Sequence, residues 1–187
     1  MVILVVVVVI VVALLFYGVA TFNKLIRQRN QVESSWAQID VQLRRRHDLI
    51  PNLVETVKGY AAHERQTLEA VVAARQSAVA AQESGAAPGQ IAEKENALTR
   101  TLGRLFALAE AYPDLKANQN FAALQSELAT TEDKIAYARQ FYNSAVQTFN
   151  QKVQTLPSNL IAAAGGFRAQ PYFEADGGER ADVNVKF

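Results

Sequence analysis

Residues 2 to 20 read VILVVVVVIVVALLFYGVA, an apolar run that Gly18 alone interrupts, and the first charged side chain after it is Lys24. A helix of this length covers about the ~30 Å hydrocarbon core of a bilayer at ~1.5 Å per residue. The run therefore predicts a transmembrane helix that anchors the rest of the chain to a lipid bilayer. Positions that mark this anchor are Val2, Ile10, Leu15, Phe16 and Ala20.

Two other interpretations of the apolar run are less favoured. A cleaved signal peptide has a basic segment, then a shorter apolar stretch, then small residues at the cleavage site. Here no basic residue comes first, and the small residues that could be cut are confined to Gly18–Ala20. A buried core helix of this length would be expected to include polar positions. The sequence therefore favours a retained anchor.

The charges that follow the run predict its orientation. Lys24, Arg27 and Arg29 precede the first acidic residue, Glu33, and no charged side chain comes before the run. Positive charges beside a transmembrane helix favour the cytoplasmic side of a membrane. We therefore expect a single-pass protein whose amino terminus faces outward and whose remaining chain lies on the cytoplasmic side.

The composition of the remaining chain favours helices. The 187 residues have a formal net charge of +1, so charge does not point to a nucleic-acid partner. The sequence contains no cysteine, which excludes disulfides and thiolate metal sites. Glycine and proline are sparse before Pro157, as is typical of long helices rather than turn-rich β structure.

Apolar residues recur every three or four positions from residue 21 to 82, which predicts one long helix. Pro51 lies inside it, and a proline removes a hydrogen bond and usually kinks a helix. Because the apolar spacing continues across Pro51, we expect a kinked helix. The alternative is a break, with Asp48 capping a new helix that has Pro51 in its first turn.

Two more helices are predicted after a turn at 83–89, one over 90–112 and one that ends near Leu156. Helices joined by short connections pack antiparallel. The predicted fold class is all-α, with a transmembrane helix that continues into an elongated antiparallel helical bundle and an irregular tail. The predicted domains are the anchor over 1–22, the bundle over 23–157 and the tail over 158–187.

The first predicted helix is longer than the helices that would cover it, which suggests a homo-oligomer. Its membrane-proximal part would lack partners within one chain, and aromatic side chains of the tail would be unfavourable in water. Phe141 is a candidate because the aromatic residues near it cannot all face one core, although a broad buried face is the alternative. The candidate interface residues are Trp36, Ile39, Phe141, Phe167, Tyr172 and Phe173.

The tail carries two further expectations. Its aromatic part is expected to dock on the bundle or on a neighbouring subunit. The alternating Val183, Val185 and Phe187 have the period of a strand, so we expect them to pair between chains or to stay disordered.

The sequence contains no recognisable catalytic or metal-binding motif. His63-Glu64 begins a pattern typical of zinc proteases, but Thr67 stands where the second histidine is needed. Neither His63 nor His47 has the preceding glutamate of a Glu-x-x-His pair. We therefore expect no catalytic, cofactor or metal site.

The strongest run of charge is Arg44-Arg45-Arg46. We expect some of these arginines to form ion pairs with Glu132 and Asp133 on a facing helix. A partner-binding surface and contact with lipid headgroups are the alternatives, although at ~1.5 Å per residue the run lies roughly 30 Å from the anchor along a straight helix.

Several segments together resemble the LemA family. These are NKLIRQRN at 23–30, WAQIDVQLRRR at 36–46, DLIPNLVETVKGY at 48–60, ALAEAYPDLKANQN at 107–120, TEDKI at 131–135, ARQFYN at 138–143 and PSNLI at 157–161. The likeness covers nearly the whole chain in order. The tail departs from this likeness at two places. The segment AAAGG at 162–166 is richer in alanine and glycine than the family resemblance leads us to expect, and Asp182 stands where a proline is common.

The resemblance implies a bacterial protein of the inner membrane with a helical bundle and a largely unassigned role. Relatives are associated with membrane organisation, including magnetosome formation, and with neighbouring membrane proteases. No catalytic residue is implied. We therefore expect a non-enzymatic scaffold or adaptor that self-assembles at the membrane. The alternatives are an accessory subunit of a membrane protease or chaperone complex, and a hydrolase with an unrecognised site.

Overall fold

The structure is a computed structural model that describes residues 1–174, and this part of the chain contains helices and no strands. The all-α prediction is therefore confirmed. Val183, Val185 and Phe187 lie outside the described residues. The helices are α1 (Val2–Lys58), α2 (Arg65–Glu83), α3 (Pro88–Ala109), α4 (Pro113–Lys116), α5 (Gln119–Gln154) and α6 (Ser158–Ala164).

The chain divides into two compact units. Unit 1 contains residues 1–37 and 140–170, and unit 2 contains residues 38–139 together with the described chain from Pro171 onward. Helices α1 and α5 each contribute to both units, because their bounds cross the division. The predicted boundary after residue 22 falls inside α1, so no loop separates the apolar run from the chain that follows it.

The core of unit 1 consists of one face of α1 packed with the end of α5 and the segment after it. Its buried apolar side chains are Leu25, Val32, Tyr142, Val146, Phe149, Ala162 and Phe167. Phe167 packs edge-on against Phe22 and Phe149, with ring centroids 5.5 and 6.3 Å apart. Edge-to-face aromatic pairs contribute about 0.5–1.5 kcal/mol beyond the area they bury. Aromatic contacts therefore attach the chain after α6 to α1 and α5.

The core of unit 2 is formed by α1, α2, α3, α4 and the first half of α5. Fully buried positions include Ile50, Leu53, Val57, Val71, Leu98, Leu105 and Leu115. They recur every three or four residues along each helix, which places them on one face. The four-residue helix α4, which begins at Pro113, adds Leu115 to this core between α3 and α5.

The prediction of one helix over 21–82 is wrong, because α1 ends at Lys58 and the chain turns back into α2. Gly59 follows the last helical residue, and glycine is a poor helix former. Two hydrogen bonds connect the turn to residues that flank α4. The Asn118 side chain donates to the Tyr60 hydroxyl at 2.9 Å, and the Tyr112 hydroxyl donates to the Glu64 carboxylate at 3.1 Å. Unit 2 is therefore built from four long helices rather than three.

The apolar spacing could not reveal this turn. Val57 lies in the last turn of α1 and Leu68 lies in α2, yet both are buried in the same core. Helix α2 runs back along α1 within unit 2, since Arg75 bonds the carbonyl of His47 and Gln82 bonds the side chain of Asp40 at 2.6 Å. A single helix and a helical hairpin that shares one core therefore give the same period.

The prediction that α1 passes through Pro51 is confirmed. A proline has no N–H, so the carbonyl four residues earlier, that of His47, loses its helical hydrogen bond. The Arg75 side chain replaces that donor, because its Nε lies 2.7 Å from the His47 carbonyl oxygen. The exposed Pro51 is thus accommodated through a side chain of the neighbouring helix.

Candidate functional site

The apolar run forms the first part of α1 and leaves its side chains exposed. Every residue of Val2–Ala20 is exposed except the half-buried Gly18. The same helix packs into a protein core from Leu25 onward. A long apolar segment left uncovered by its own protein marks a surface for a membrane or a partner. By length and composition it can cross a bilayer, so it is a candidate membrane anchor.

The basic residues that predict the orientation lie on the next turns of α1. Lys24, Arg27 and Arg29 are all exposed. Arg29 lies 3.7 Å from Glu33, and its guanidinium is 5.7 Å from the centre of the Phe167 ring. Arg29 therefore has partners within unit 1, whereas Lys24 and Arg27 present their charge at the surface. The cytoplasmic orientation stays a prediction.

A group of charged and polar side chains in unit 2 is centred on the buried Arg46 and Glu95, whose side chains are 4% and 5% exposed. Arg46 Nη1 lies 3.4 Å from Glu95 Oε2 and 3.1 Å from Glu132 Oε2, and Arg46 Nη2 donates to Thr99 Oγ1 at 2.7 Å. His47 Nε2 lies 2.7 Å from the other Glu95 oxygen. We call these five residues the Arg46 cluster. A buried charge requires such partners, because transfer of an unpaired charged side chain from water to the protein interior is strongly unfavourable.

The predicted ion pairs of the arginine run are distributed over different partners. Arg46 pairs with Glu132, as predicted. Arg45 pairs instead with Glu127, and Arg44 pairs with Asp40 one turn earlier at 2.8 Å. The prediction that Asp133 joins the pairing is wrong, since Asp133 is exposed and has no ion-pair partner within residues 1–174. Glu132 and Asp133 point in different directions because successive helical residues are ~100° apart.

The Arg46 cluster has acid–base groups but little access. His47 and Glu95 are each buried, so the contact between them has little exposure to solvent. The described residues 1–174 contain no group of three or more His, Cys, Asp or Glu side chains that could hold a metal ion. The contacts of the cluster join α1, α3 and α5 to one another within unit 2.

The predicted interface residues of α1 differ in burial. Ile39 is fully buried, so the prediction that it lacks a partner is wrong. Trp36 is half-buried, and its ring centroid lies 5.3 Å from that of Tyr142. The shortage of partners does not arise because α5 extends for 36 residues and α6 follows it. Burial also raises the pKa of Tyr142 to about 12.

The candidate residues of α5 and the tail differ in exposure. Phe167 and Phe173 are buried, as expected for aromatic residues that dock on the bundle. Phe141 and Tyr172 are exposed, so their contact with another chain stays a prediction. In unit 1 the buried Asn150 side chain forms two hydrogen bonds with the backbone of Gln170, at 2.9 and 2.8 Å. This pair of bonds fixes the path of the tail beyond Phe167.

The sequence interpretation missed Glu95 and Asn150. Glu95 lies on the apolar face of α3, four residues after Ile91 and three before Leu98, both of which are buried. A lone glutamate at such a position signals a buried partner of opposite charge. Asn150 follows the buried Phe149 but carries no comparable pattern, because its partner is a backbone group of the tail.

Sequence comparison relates the chain to one family and to several named proteins. The family model for the LemA family matches residues 35–187. Protein LemA of Metamycoplasma hominis is 25% identical over 170 residues, which cover 91% of this chain and 76% of the relative. Magnetosome protein MamQ 2 of Paramagnetospirillum magneticum is 25% identical over 175 residues, which cover 82% of this chain and 64% of the relative.

A third relative is also named as a MamQ protein. Magnetosome protein MamQ of Magnetospirillum gryphiswaldense is 22% identical over 174 residues, which cover 81% of this chain and 64% of the relative. The matched region thus spans less than two thirds of the length of the MamQ proteins.

Proposed function

The chain belongs to the LemA family, and from this premise we propose that it acts as a membrane-anchored helical scaffold or adaptor without turnover of its own. The observation that carries the proposal is the continuity of α1. One helix runs without interruption from the exposed apolar run to the core of unit 2. A folded domain attached in this way is held at a membrane surface by an element of its own core.

The packing of α1 supports a mechanical rather than a catalytic role. A helix that loses its packed face also disrupts the core it belongs to, since most helical stability in proteins comes from tertiary packing. Leu43, Ile50 and Val57 are fully buried along this helix. The Arg46 cluster adds buried polar contacts that specify the arrangement of helices within unit 2.

We further propose that the scaffold self-assembles through exposed aromatic side chains of α5. Tyr137, in unit 2, is 73% exposed. Tyrosine is among the residues that are enriched at protein interfaces, so an exposed Tyr137 is suited to contact a second copy. Phe141, in unit 1, is exposed as well. Large aromatic side chains in contact with water favour association because each can bury ~150–250 Å². The exposed cations Lys24 and Arg27 support the placement of the assembly on the cytoplasmic side.

Purification of the full chain from membranes in mild detergent, followed by light scattering on a sizing column, tests this function. We expect an oligomer that Tyr137→Ser weakens. Thr130→Ser is the matched control, since Thr130 is an exposed polar residue seven positions earlier on the same helix.

Three outcomes of the purification would separate the alternatives. A monomer at micromolar concentration in the unmodified protein would refute self-assembly. A second membrane protein recovered in constant ratio, identified by mass spectrometry, would indicate an accessory subunit of another complex instead. An oligomer that Tyr137→Ser and Thr130→Ser weaken equally would place the interface elsewhere.

A further inference from the structure

Residues 155–160, which comprise the turn between α5 and α6 and the first residues of α6, expose two leucines, and we call this segment the α5–α6 turn. Leu156 is 74% exposed and Leu160 is 65% exposed, both in unit 1. The buried Ser158 hydroxyl orders the turn. It lies 2.7 Å from the carbonyl oxygen of Lys152 and 2.9 Å from the carbonyl oxygen of Thr155, and its hydrogen bond is divided between these two acceptors. The two leucines are therefore held on a fixed backbone with their apolar surface toward the surroundings.

The same turn lies beside the end of the apolar run. Lys152 and Ser158 line one cleft with Tyr17, Ala20 and Lys24 of α1. Farther along, a Cβ atom placed on Gly165 would come within 2.9 Å of the Phe22 ring. These contacts all lie within unit 1. They set the α5–α6 turn at the level of α1 where the uncharged residues end and the basic residues begin.

The charge of unit 1 suits a surface of phospholipid headgroups. Its acidic side chain is Glu33 alone, whereas its cationic side chains come from three separate parts of the unit. Basic residues near a membrane surface are attracted to anionic lipids. The cationic residues are Lys24, Arg27, Arg29, Lys152 and Arg168.

We infer that the α5–α6 turn is a second membrane contact, which inserts Leu156 and Leu160 into the interfacial region of the bilayer that α1 spans. The inference rests on the proposed anchor. It follows from continuity, because Ser158 of the α5–α6 turn lines one cleft with Tyr17 and Ala20 of the apolar run, and from charge, because the nearby cations Lys24 and Lys152 match phosphate groups. Apolar side chains flanked by cations are the usual composition of interfacial segments.

The second contact changes what the anchor does. A single helix leaves a domain free to tilt and rotate about the membrane normal, whereas interfacial residues restrict both motions. The α5–α6 turn would give unit 1 two points of attachment and hence one orientation toward the bilayer. A lipid-facing orientation is what a scaffold needs in order to present the same surface in every copy.

Site-directed fluorescence on the full chain in lipid vesicles tests this inference. The sequence has no cysteine, so single cysteines can carry an environment-sensitive dye without background labelling. The test variants are Leu156→Cys and Leu160→Cys. Thr148→Cys is the control. Thr148 is exposed on α5 and precedes Leu156 by about 12 Å along the helix, at ~1.5 Å per residue. Leu15→Cys reports on the anchor.

The vesicles contain phosphatidylcholine and phosphatidylglycerol, with and without nitroxide-bearing lipids that quench a dye in contact with the bilayer. We expect several-fold stronger quenching at Leu156 and Leu160 than at Thr148, and the same quenching when the protein is diluted in excess lipid. Strong quenching at Leu15 is expected from the anchor.

Each remaining outcome overturns a specific statement. Quenching at Leu156 and Leu160 as weak as at Thr148, with Leu15 quenched, would refute insertion of the turn and leave the anchor intact. Protection of the two dyes from aqueous quenchers that is lost on dilution would show that a second copy covers them, and would refute the lipid contact. Absence of quenching at Leu15 would refute the anchor and the inference together.

Discussion

The contact between Arg75 and the His47 carbonyl predicts a coupling between Arg75 and Pro51. In the native chain this carbonyl has no N–H donor from position 51, and the guanidinium takes that place at 2.7 Å. Arg75→Met keeps the apolar stem of the side chain but removes the donor. Hydrogen bonds from charged groups contribute about 1.5–3 kcal/mol. Because Arg75 is half-buried, we expect a loss of about 1.5 kcal/mol, at the lower end of that range.

The same substitution should matter less in a Pro51→Ala background. The alanine would supply the missing backbone N–H, so loss of Arg75 would no longer leave the His47 carbonyl unpaired. We expect the cost of Arg75→Met to fall to about 0.5 kcal/mol in that background, a coupling of about 1 kcal/mol. Pro51→Ala alone should stabilise the protein, since proline inside a helix is unfavourable.

Urea unfolding of the full chain in detergent, followed by circular dichroism, measures the four free energies of this cycle. Hydrogen exchange with mass spectrometry then assigns the change to the peptide around His47. Arg65→Met is the matched control, because Arg65 is exposed at the start of α2 and should change stability by no more than about 0.5 kcal/mol. Equal costs of Arg75→Met in the two backgrounds would refute the role assigned to Arg75.

Three further predictions concern the buried polar groups. Glu95→Ala should cost about 3 kcal/mol because it breaks a buried ion pair, whereas the matched Glu127→Ala, in a half-exposed pair, should cost no more than about 1 kcal/mol; equal costs in urea unfolding would contradict this. The raised pKa of Tyr142, about 12 against an ordinary 10.0, means that the folded state keeps a proton that the unfolded state releases above pH 10. Stability should therefore fall by about 1.4 kcal/mol per pH unit from there to about pH 12, and unfolding curves of Tyr142→Phe should lack that slope. Asn150→Ala should release the backbone at Gln170 and accelerate proteolysis of the tail, and cleavage at the native rate would contradict this.

The sequence was sufficient for the features that depend on length and period. The exposed run over Val2–Ala20, the passage of α1 through Pro51 and the end of α3 near Pro113 all follow from local rules for helices and for proline. The Arg46–Glu132 pair could be predicted as well, because a charge run needs acids on a facing helix.

The remaining features depend on which residues meet in three dimensions. The turn at 59–64 was missed because α1 and α2 bury their apolar faces in one core and so keep a common period. The Arg45–Glu127 and Gln170–Asn150 contacts were missed because they join positions far apart in sequence, and their residue types are ordinary on a helix surface. Glu95 was the exception, since its place among buried apolar residues was visible in the sequence.

The central claim is that α1 leaves the bilayer as the same helix that enters the folded protein. Cysteine accessibility in sealed membranes, with single substitutions through the run and into the next turns, tests this most directly. We predict that Val9→Cys and Leu15→Cys are protected from an aqueous thiol reagent. Asn23→Cys and Arg27→Cys should react with it after the membranes have been permeabilised. Reaction at Val9 in folded protein, or a mature chain that lacks the apolar run, would contradict the account.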